Sequence, residues 1–360
     1  MIFFKNSFKN KRVIITGHTG FKGSWLTLWL TILGAKVLGI SNSIITKPSN
    51  FEAQKLKKKI KNKKLDIRNL KQLRSSIKNF KPDYIFHLAA QSLVKKSYEK
   101  PIYTFETNSI GTLNLLESLR IFKKRCTVII ITSDKSYKNL EIKRGYKEND
   151  LLGGLDPYSA SKGSAEFIIQ SYLNSYFDKK SKVSIGIARA GNVIGGGDWS
   201  ESRLVPDCIR SWSKNTSVIL RNPHSTRPWQ HVLEALGGYL IFALKLKKNR
   251  KLHGHIFNFG PSNNNNFSVL ALVKTMKECW HEVNWKLDKK KYADVYESKL
   301  LKLNSDKAKK ILKWKSVMNF KETALMTVEW YQTFYYNSKN IKDYSIKQIE
   351  KFEKLMLKRI

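Results

Sequence analysis

Arg12-Val13-Ile14-Ile15-Thr16-Gly17-His18-Thr19-Gly20-Phe21-Lys22-Gly23-Ser24-Trp25 carries the decisive pattern of this chain. Its first five residues form an apolar, β-branched run, which predicts a short buried strand. Gly17, Gly20 and Gly23 follow, and Trp25, Leu26, Leu28, Trp29, Leu30, Ile32 and Leu33 then recur as in a helix ending at Gly34. Strand, glycine turn and helix in that order set free N–H groups and a positive dipole end beside a backbone that a phosphate can approach. The spacing is G-x-x-G-x-x-G rather than G-x-G-x-x-G, so the flanking strand and helix carry the weight, not the glycines alone.

Outward from the turn, residues 36–40 read as a second strand ending Gly39-Ile40-Ser41-Asn42-Ser43. No acid stands there for a ribose hydroxyl and no arginine for an extra phosphate, so this position does not decide NAD against NADP. Leu65-Asp66-Ile67 reads as a short strand; Asp66 suits either an adenine amine or the N-cap of a helix over 69–80. Tyr84-Ile85-Phe86-His87-Leu88-Ala89-Ala90 is a buried strand closed by small residues that leave room for a flat ring, with His87 a core histidine. A helical pattern over 104–119 carries Asn108, and the apolar strand 127–132 delivers Ser133-Asp134-Lys135 at its carboxyl end, where open α/β sheets bind ligands. With a sixth strand over 183–189, alternating strands and helices from Arg12 to Arg189 predict a doubly wound parallel sheet of α/β class.

Tyr158-Ser159-Ala160-Ser161-Lys162 follows Pro157 and opens another helical stretch. Four residues apart, Tyr158 and Lys162 project from one helix face. An ammonium ~4 Å from a phenol is worth roughly 4 kcal/mol at an effective dielectric of about 20, which draws the phenol toward general-base chemistry against the opposing cost of desolvation. Taken alone, such a pair fits a solvated helix face better, and only the rest of the chain overturns that.

The combination of glycine turn, Ser133-Asp134-Lys135 and Tyr158-x-x-x-Lys162 resembles the extended short-chain dehydrogenase/reductases, which have a Rossmann fold. Longer strings narrow the resemblance: Thr16 to Trp25, Gly191-Asn192-Val193-Ile194-Gly195-Gly196-Gly197-Asp198-Trp199, Leu220-Arg221-Asn222-Pro223-His224 and Thr226-Arg227-Pro228-Trp229-Gln230-His231-Val232. Together, from about Phe8 to Ile349, they are similar to the CDP-glucose 4,6-dehydratase family. Relatives acting on dTDP-glucose place a glutamate where Lys135 stands. The resemblance implies NAD as a retained cofactor, held by Gly17, Thr19, Gly20, Phe21, Lys22 and Gly23 at the pyrophosphate. It implies Asp66 and Ile67 at the adenine, and Leu88, Ala89, Ala90, Asn108, Tyr158 and Lys162 toward the nicotinamide. Ser133, Tyr158 and Lys162 handle the sugar C4 hydroxyl, Asp134 is the acid for the departing C6 hydroxyl, and Lys135 handles the C5 proton. Gln91, Ser133, Asn192, Arg189, Arg203, Arg227 and Glu297 are the expected substrate contacts, with Tyr296 standing where the family has a histidine. A homodimer through helices 104–119 and 158–176 is implied, as is a role in deoxysugar and O-antigen polysaccharide biosynthesis. The alternatives are a 4,6-dehydratase or 4-epimerase acting on dTDP-glucose, GDP-mannose or a UDP-sugar.

The expected organisation is a dinucleotide-binding domain over 1–190 with a returning segment near 228–262, the strand His255-Ile256-Phe257-Asn258-Phe259-Gly260 rejoining the sheet. A smaller, interleaved α/β substrate domain takes 191–227 and 263–360. Amphipathic helices are expected over 267–280, 305–312 and 320–336, and the tail over 344–356 is read as packing. The 360 residues are 41% hydrophobic, with nine tryptophans, which argues for a globular core rather than disorder. No apolar run is long enough for a transmembrane helix, and the start lacks a secretory pattern. Cys126, Cys208 and Cys279 are few and scattered, which predicts no disulfide framework and no metal site and fits a reducing cytoplasm. The formal charge of +39 is spread along the chain as lysine, and its densest run, 55–64, holds no aromatic for base stacking. A nucleic-acid-binding reading is therefore the remote alternative.

Overall fold

Seven parallel strands form the central sheet in a computed structural model of the chain, which describes residues 3–178, 180–261, 266–280, 283–287 and 301–360. They are β1 (Arg12–Thr16), β2 (Lys36–Ser41), β3 (Lys61–Lys64), β4 (Tyr84–His87), β5 (Cys126–Ile131), β6 (Val183–Ala190) and β7 (Ile256–Phe259), in the order β7-β6-β5-β4-β1-β2-β3. The chain runs outward in both directions from β1 and β4, so a crevice opens where their carboxyl ends diverge. β7 rejoins the sheet beside β6, in register Ile256 with Ile187 and Phe259 with Ala190.

The inner strands are apolar on both sides because both faces are covered. Val13, Ile15, Ile129 and Ile131 face α1 (Phe21–Ile32) and the helix Val232–Lys248; Ile14, Val128 and Ile130 face the helices Leu70–Phe80, α2 (Gly111–Arg120) and α3 (Pro157–Ser175). The edge strand β3 is the exception. It is Lys-Asn-Lys-Lys, fully exposed, and the expected strand 65–67 is instead the segment leaving it. Lysines on an edge discourage pairing with another chain.

The expected helix over 104–119 is broken into Pro101–Phe105, a wider π-type turn at Glu106–Ile110, and α2. Val269–Lys277 follows a short strand, Asn266–Ser268, and Ala308–Leu312 is a single wide turn. Of the polar loop over 263–266, residues 263–265 lie outside the described residues.

Two closing helices, α4 (Phe320–Tyr336) and α5 (Ile341–Arg359), pack back onto the N-terminal half. α4 starts in a capping box of Asn319 and Glu322, which satisfies orphan N–H groups reciprocally. Trp29 Nε1 donates to Glu353 at 2.8 Å, and Trp25 Nε1 donates to the Gly196 carbonyl at 2.8 Å. The Trp330 ring occupies the space a Cβ on Gly196 would need, so only glycine fits there. The tail is therefore packing, as its periodicity predicts. No helix among the described residues is long and apolar enough to cross a membrane.

Candidate active site

Gly17 closes the crevice floor with φ +74°, and a Cβ there would lie 2.8 Å from the Ala89 backbone. At Gly23 a Cβ would lie 2.1 Å from the Gly17 carbonyl oxygen. Both positions demand glycine, which is why turn and helix can press against the end of β4. Gly20 begins α1 without a side-chain cap and no acid stands in the first turn, so the helix N-terminus keeps its donors free for an anion. Thr19 Oγ1 bonds the Ser41 hydroxyl and the Ser43 carbonyl, each at 2.7 Å, binding the turn to the end of β2. Leu88, Ala89 and Ala90 are half-buried beside it. This geometry fits a dinucleotide pyrophosphate at the turn and a flat ring over β4.

Lys22 extends from the first turn of α1 into the electrostatic neighbourhood of Asp134, Lys162, Arg203 and Asp198. Burial and then Arg203 pull its ammonium down to about 8. Sequence reasoning placed Lys22 only at the cofactor turn.

Ser133 caps the short turn Asp134–Ser136 at the end of β5, its hydroxyl accepting from Lys135 N at 3.2 Å and donating to Asp134 Oδ1 at 2.9 Å. Burial raises the Asp134 carboxyl above its ordinary value, opposed chiefly by the Lys135 charge. α3 starts at Pro157 because Asp156 caps it, accepting from Ser159 N at 2.9 Å. That places Tyr158, buried, opposite Ser133. Burial raises its phenol to about 12; the Ser133 hydrogen bond and the Arg203 charge are the leading counterweights. Lys162 is itself held down to about 8 by burial, with Glu166 opposing.

Three expectations are corrected. Arg189 does not face a diphosphate: its side chain is enclosed and ion-paired with Glu166, and Nη1 donates to the Glu148 carbonyl at 3.0 Å. Asn108 spends its amide on the fold, donating to Gln91 O at 3.0 Å and Ser161 Oγ at 2.8 Å and accepting from Gln91 N at 2.8 Å. Gln91 is likewise spent, donating to Leu93 O and Thr104 Oγ1, both at 3.0 Å, and accepting from Leu93 N at 2.7 Å. Except for Leu93, the partners are remote in sequence.

Asp66 carries Arg68 at 2.9 Å and accepts from Asn42 Nδ2 at 3.2 Å, while Asn69 rather than Asp66 caps the helix Leu70–Phe80. Ile67 is buried against Gly111. Arg203 pairs with Asp198 at 2.9 Å and reaches the Tyr158 environment; Asn192 is exposed on the loop before it. Arg227 lies on a short strand, Thr226–Pro228, paired with Asn266–Ser268. Glu297 and Tyr296 lie outside the described residues. His87 bonds Thr16 at 2.8 Å and Thr112 at 3.3 Å, and burial lowers it to about 3, so it is a neutral core histidine. Among the described residues no His, Cys, Asp and Glu cluster could hold a metal.

Missed by sequence reasoning were Glu166, Thr132, Ser136 and Asp198. Glu166 carried a signal, standing one helical turn beyond Lys162. We expect Glu166→Ala, which strands the Arg189 charge in the interior, to cost about 3–5 kcal/mol in denaturant unfolding.

A glycine turn at the switch point of a doubly wound sheet, with a buried serine, tyrosine and lysine across the crevice, defines an extended short-chain dehydrogenase/reductase. The chain belongs to the GDP-mannose 4,6 dehydratase family, whose model matches residues 14–327, and within that family of sugar-nucleotide dehydratases it is a CDP-glucose 4,6-dehydratase homologue. It is 44% identical over 335 residues to the CDP-glucose 4,6-dehydratase of Salmonella typhimurium, covering 92% of this chain and 93% of that one. The fold matches the dTDP-glucose 4,6-dehydratase of Bacillus anthracis solved in complex with NAD, at TM-score 0.73 and 21% identity, over 92% of this chain and 100% of that one. It also matches the UDP-glucose 4-epimerase of Thermotoga maritima solved with UDP-glucose, at TM-score 0.76 and 23% identity, over 89% and 99%.

Proposed function

We propose that this protein converts CDP-glucose to CDP-4-keto-6-deoxyglucose, with NAD as a retained cofactor. The observation that carries this reading is the placement of Asp134 and Lys135 directly after Ser133, the residue whose hydroxyl meets Tyr158 across the crevice. An epimerase has no use for a second acid/base pair; an elimination needs one.

When bound, NAD would supply the hydride acceptor for C4 and the hydride donor for C6. The N-terminus of α1 with Gly17, Thr19, Gly20, Phe21, Lys22 and Gly23 would hold its pyrophosphate. Asp66 and Ile67 lie toward the adenine, and Ala89, Ala90 and Lys162 toward the nicotinamide. Tyr158 takes the C4 hydroxyl proton, assisted by Ser133 and by the cations Arg203 and Lys162. The resulting ketone acidifies C5. Lys135 removes the C5 proton and returns it to C5 once C6 has been reduced, while Asp134, raised by burial so that it holds a proton more readily, gives its own proton to the C6 hydroxyl, which leaves as water. Arg203, Asn192 and Arg227 are assigned to the sugar nucleotide, an arginine fork suiting a diphosphate. The domain division 1–190, with a returning segment near 228–262, against 191–227 and 263–360 suits this split of labour. A cytoplasmic location, with no membrane or nucleic-acid partner, completes the reading.

The test is incubation of the purified protein with CDP-glucose, dTDP-glucose and GDP-mannose, following loss of water by mass spectrometry. Dehydration of CDP-glucose foremost is the expected result; preference for another sugar nucleotide overturns the substrate assignment.

The protein works as a homodimer on this reading. Ile102 (74% exposed) and Phe167 (58%) are apolar side chains open to solvent on the helices Pro101–Phe105 and α3, a pattern suited to helix–helix pairing between copies. Sedimentation at micromolar concentration is expected to give a dimer, and Ile102→Lys/Phe167→Lys a monomer.

A further inference from the structure

Glu166 stands one turn beyond Lys162 on α3, yet the reaction as derived gives it no proton to carry. Its side chain and that of Arg189 are enclosed. Four donors converge on its two oxygens. Arg189 Nε reaches Oε1 at 2.7 Å and Nη2 reaches Oε2; Thr132 Oγ1 and Ser136 Oγ reach Oε1 at 2.7 and 3.1 Å. Arg189 is satisfied further by the Glu148 carbonyl and by the Tyr137 ring, 4.5 Å beneath its guanidinium.

These donors bracket the chemistry. Thr132 directly follows β5 and Ser136 closes the turn, and between them stand Ser133, Asp134 and Lys135. Ser136 Oγ also lies 2.6 Å from the Ser133 carbonyl. Arg189 comes from β6 and Glu166 from the helix that bears Tyr158 and Lys162. One carboxylate thus ties the two halves of the proton machinery together. A buried ion pair is poorly explained by stability, since apolar residues of equal volume avoid its desolvation cost.

We propose that Glu166 and Arg189 are positioning residues of the reaction, locking the 132–136 turn to α3 so that Ser133, Asp134 and Lys135 meet Tyr158 and Lys162 in register. This rests on the reaction assigned above.

The carboxylate has a second effect, on Lys162. Facing that ammonium are Lys22 from α1 and His87 from β4, with Tyr158 on its own helix. Lys22 repels it, and His87 is neutral near pH 7. Glu166 is the anion that opposes the burial holding Lys162 at about 8. Without it the Lys162 value falls further, and the ammonium is lost at lower pH.

Two variants separate positioning from mere support. Glu166→Leu/Arg189→Met removes lock and charge while stranding neither ion. Thr132→Val/Ser136→Ala cuts the turn from an intact ion pair and serves if the first variant fails to fold. Single-turnover oxidation is measured with whichever of CDP-glucose, dTDP-glucose and GDP-mannose the wild type oxidises fastest. A wrong substrate then shows in the wild-type arm, while the ratio of variant to wild type still tests the lock. Both variants are expected to oxidise about 10–100-fold more slowly with KM little changed, as small misplacements of reacting groups allow. Amide exchange over 133–136 in the cofactor-free protein should quicken in both. The basic limb of the rate should move to lower pH in the ion-pair variant only. Folded variants with wild-type exchange and wild-type oxidation rates, or an ion-pair variant with an unmoved basic limb, overturn the proposal.

Discussion

Tyr158→Phe is expected to lower turnover by roughly 10²–10⁴-fold, the loss that goes with removing a positioned general base. The change deletes one oxygen from a buried ring whose packing stays in place, so the circular dichroism spectrum should match the wild type. Because burial holds the phenol at about 12, its proton leaves only with help. That help comes from the Ser133 hydrogen bond and the Arg203 charge, and in the proposed reaction the C4 hydroxyl proton passes through this one oxygen. Lys162→Ala should be similarly slow, since it removes the buried ammonium one turn on. Turnover of Tyr158→Phe within tenfold of wild type would rule out the assigned base.

Asp134→Asn and Lys135→Met should divide the reaction in two. In the proposed reaction, oxidation at C4 uses Tyr158, Ser133 and Lys162, none of which is altered, whereas elimination across C5 and C6 needs one proton removed and one delivered. Asparagine keeps the size of Asp134 and can still meet the Ser133 hydroxyl at Oδ1, but it has no carboxyl proton to give. Methionine keeps the stem of Lys135 and loses its titrating head. Both variants are expected to oxidise the sugar and then stall, with the absorbance band of reduced nicotinamide rising on the protein and little 6-deoxy product. An epimerase carrying the same changes would pass hydride both ways undisturbed. Wild-type dehydration of CDP-glucose without that band would remove Asp134 and Lys135 from these roles.

How far the chain could be read before its structure depended on whether a residue's partners lie close in sequence. The glycine turn is local: strand, turn and helix follow within twenty residues, and Gly17 and Gly23 are forced by neighbours in the same unit and at the end of β4. Tyr158 and Lys162 are local too, set by one helix and its Asp156–Pro157 start. Arg189 was misread because an arginine beside a glycine-rich loop looks the same whether it meets a phosphate or a carboxylate 23 residues upstream. Asn108 and Gln91 were misread for the same reason, each being the other's partner across 17 residues. Spacing could not foresee the π-type turn at Glu106–Ile110, which holds Asn108 where it reaches both Gln91 and Ser161.

The contact of Trp330 with Gly196 also has an implication for the order in which the active centre can assemble. Asp198 and Arg203 ride on the loop around Gly196, and that loop is shaped from far along the chain: Tyr331 Oη donates to the Asp198 carbonyl at 2.5 Å across 133 residues. A nascent chain leaving the ribosome N-terminus first can build β1 through β6 and the cofactor crevice early. Trp25 holds only the Gly196 carbonyl, so the cation beside Tyr158 should take its final place once α4 has emerged and the Trp330 ring has docked over Gly196. A partly synthesised chain would therefore hold a dinucleotide cradle with an unset sugar side, and the competence to oxidise a sugar would arrive last.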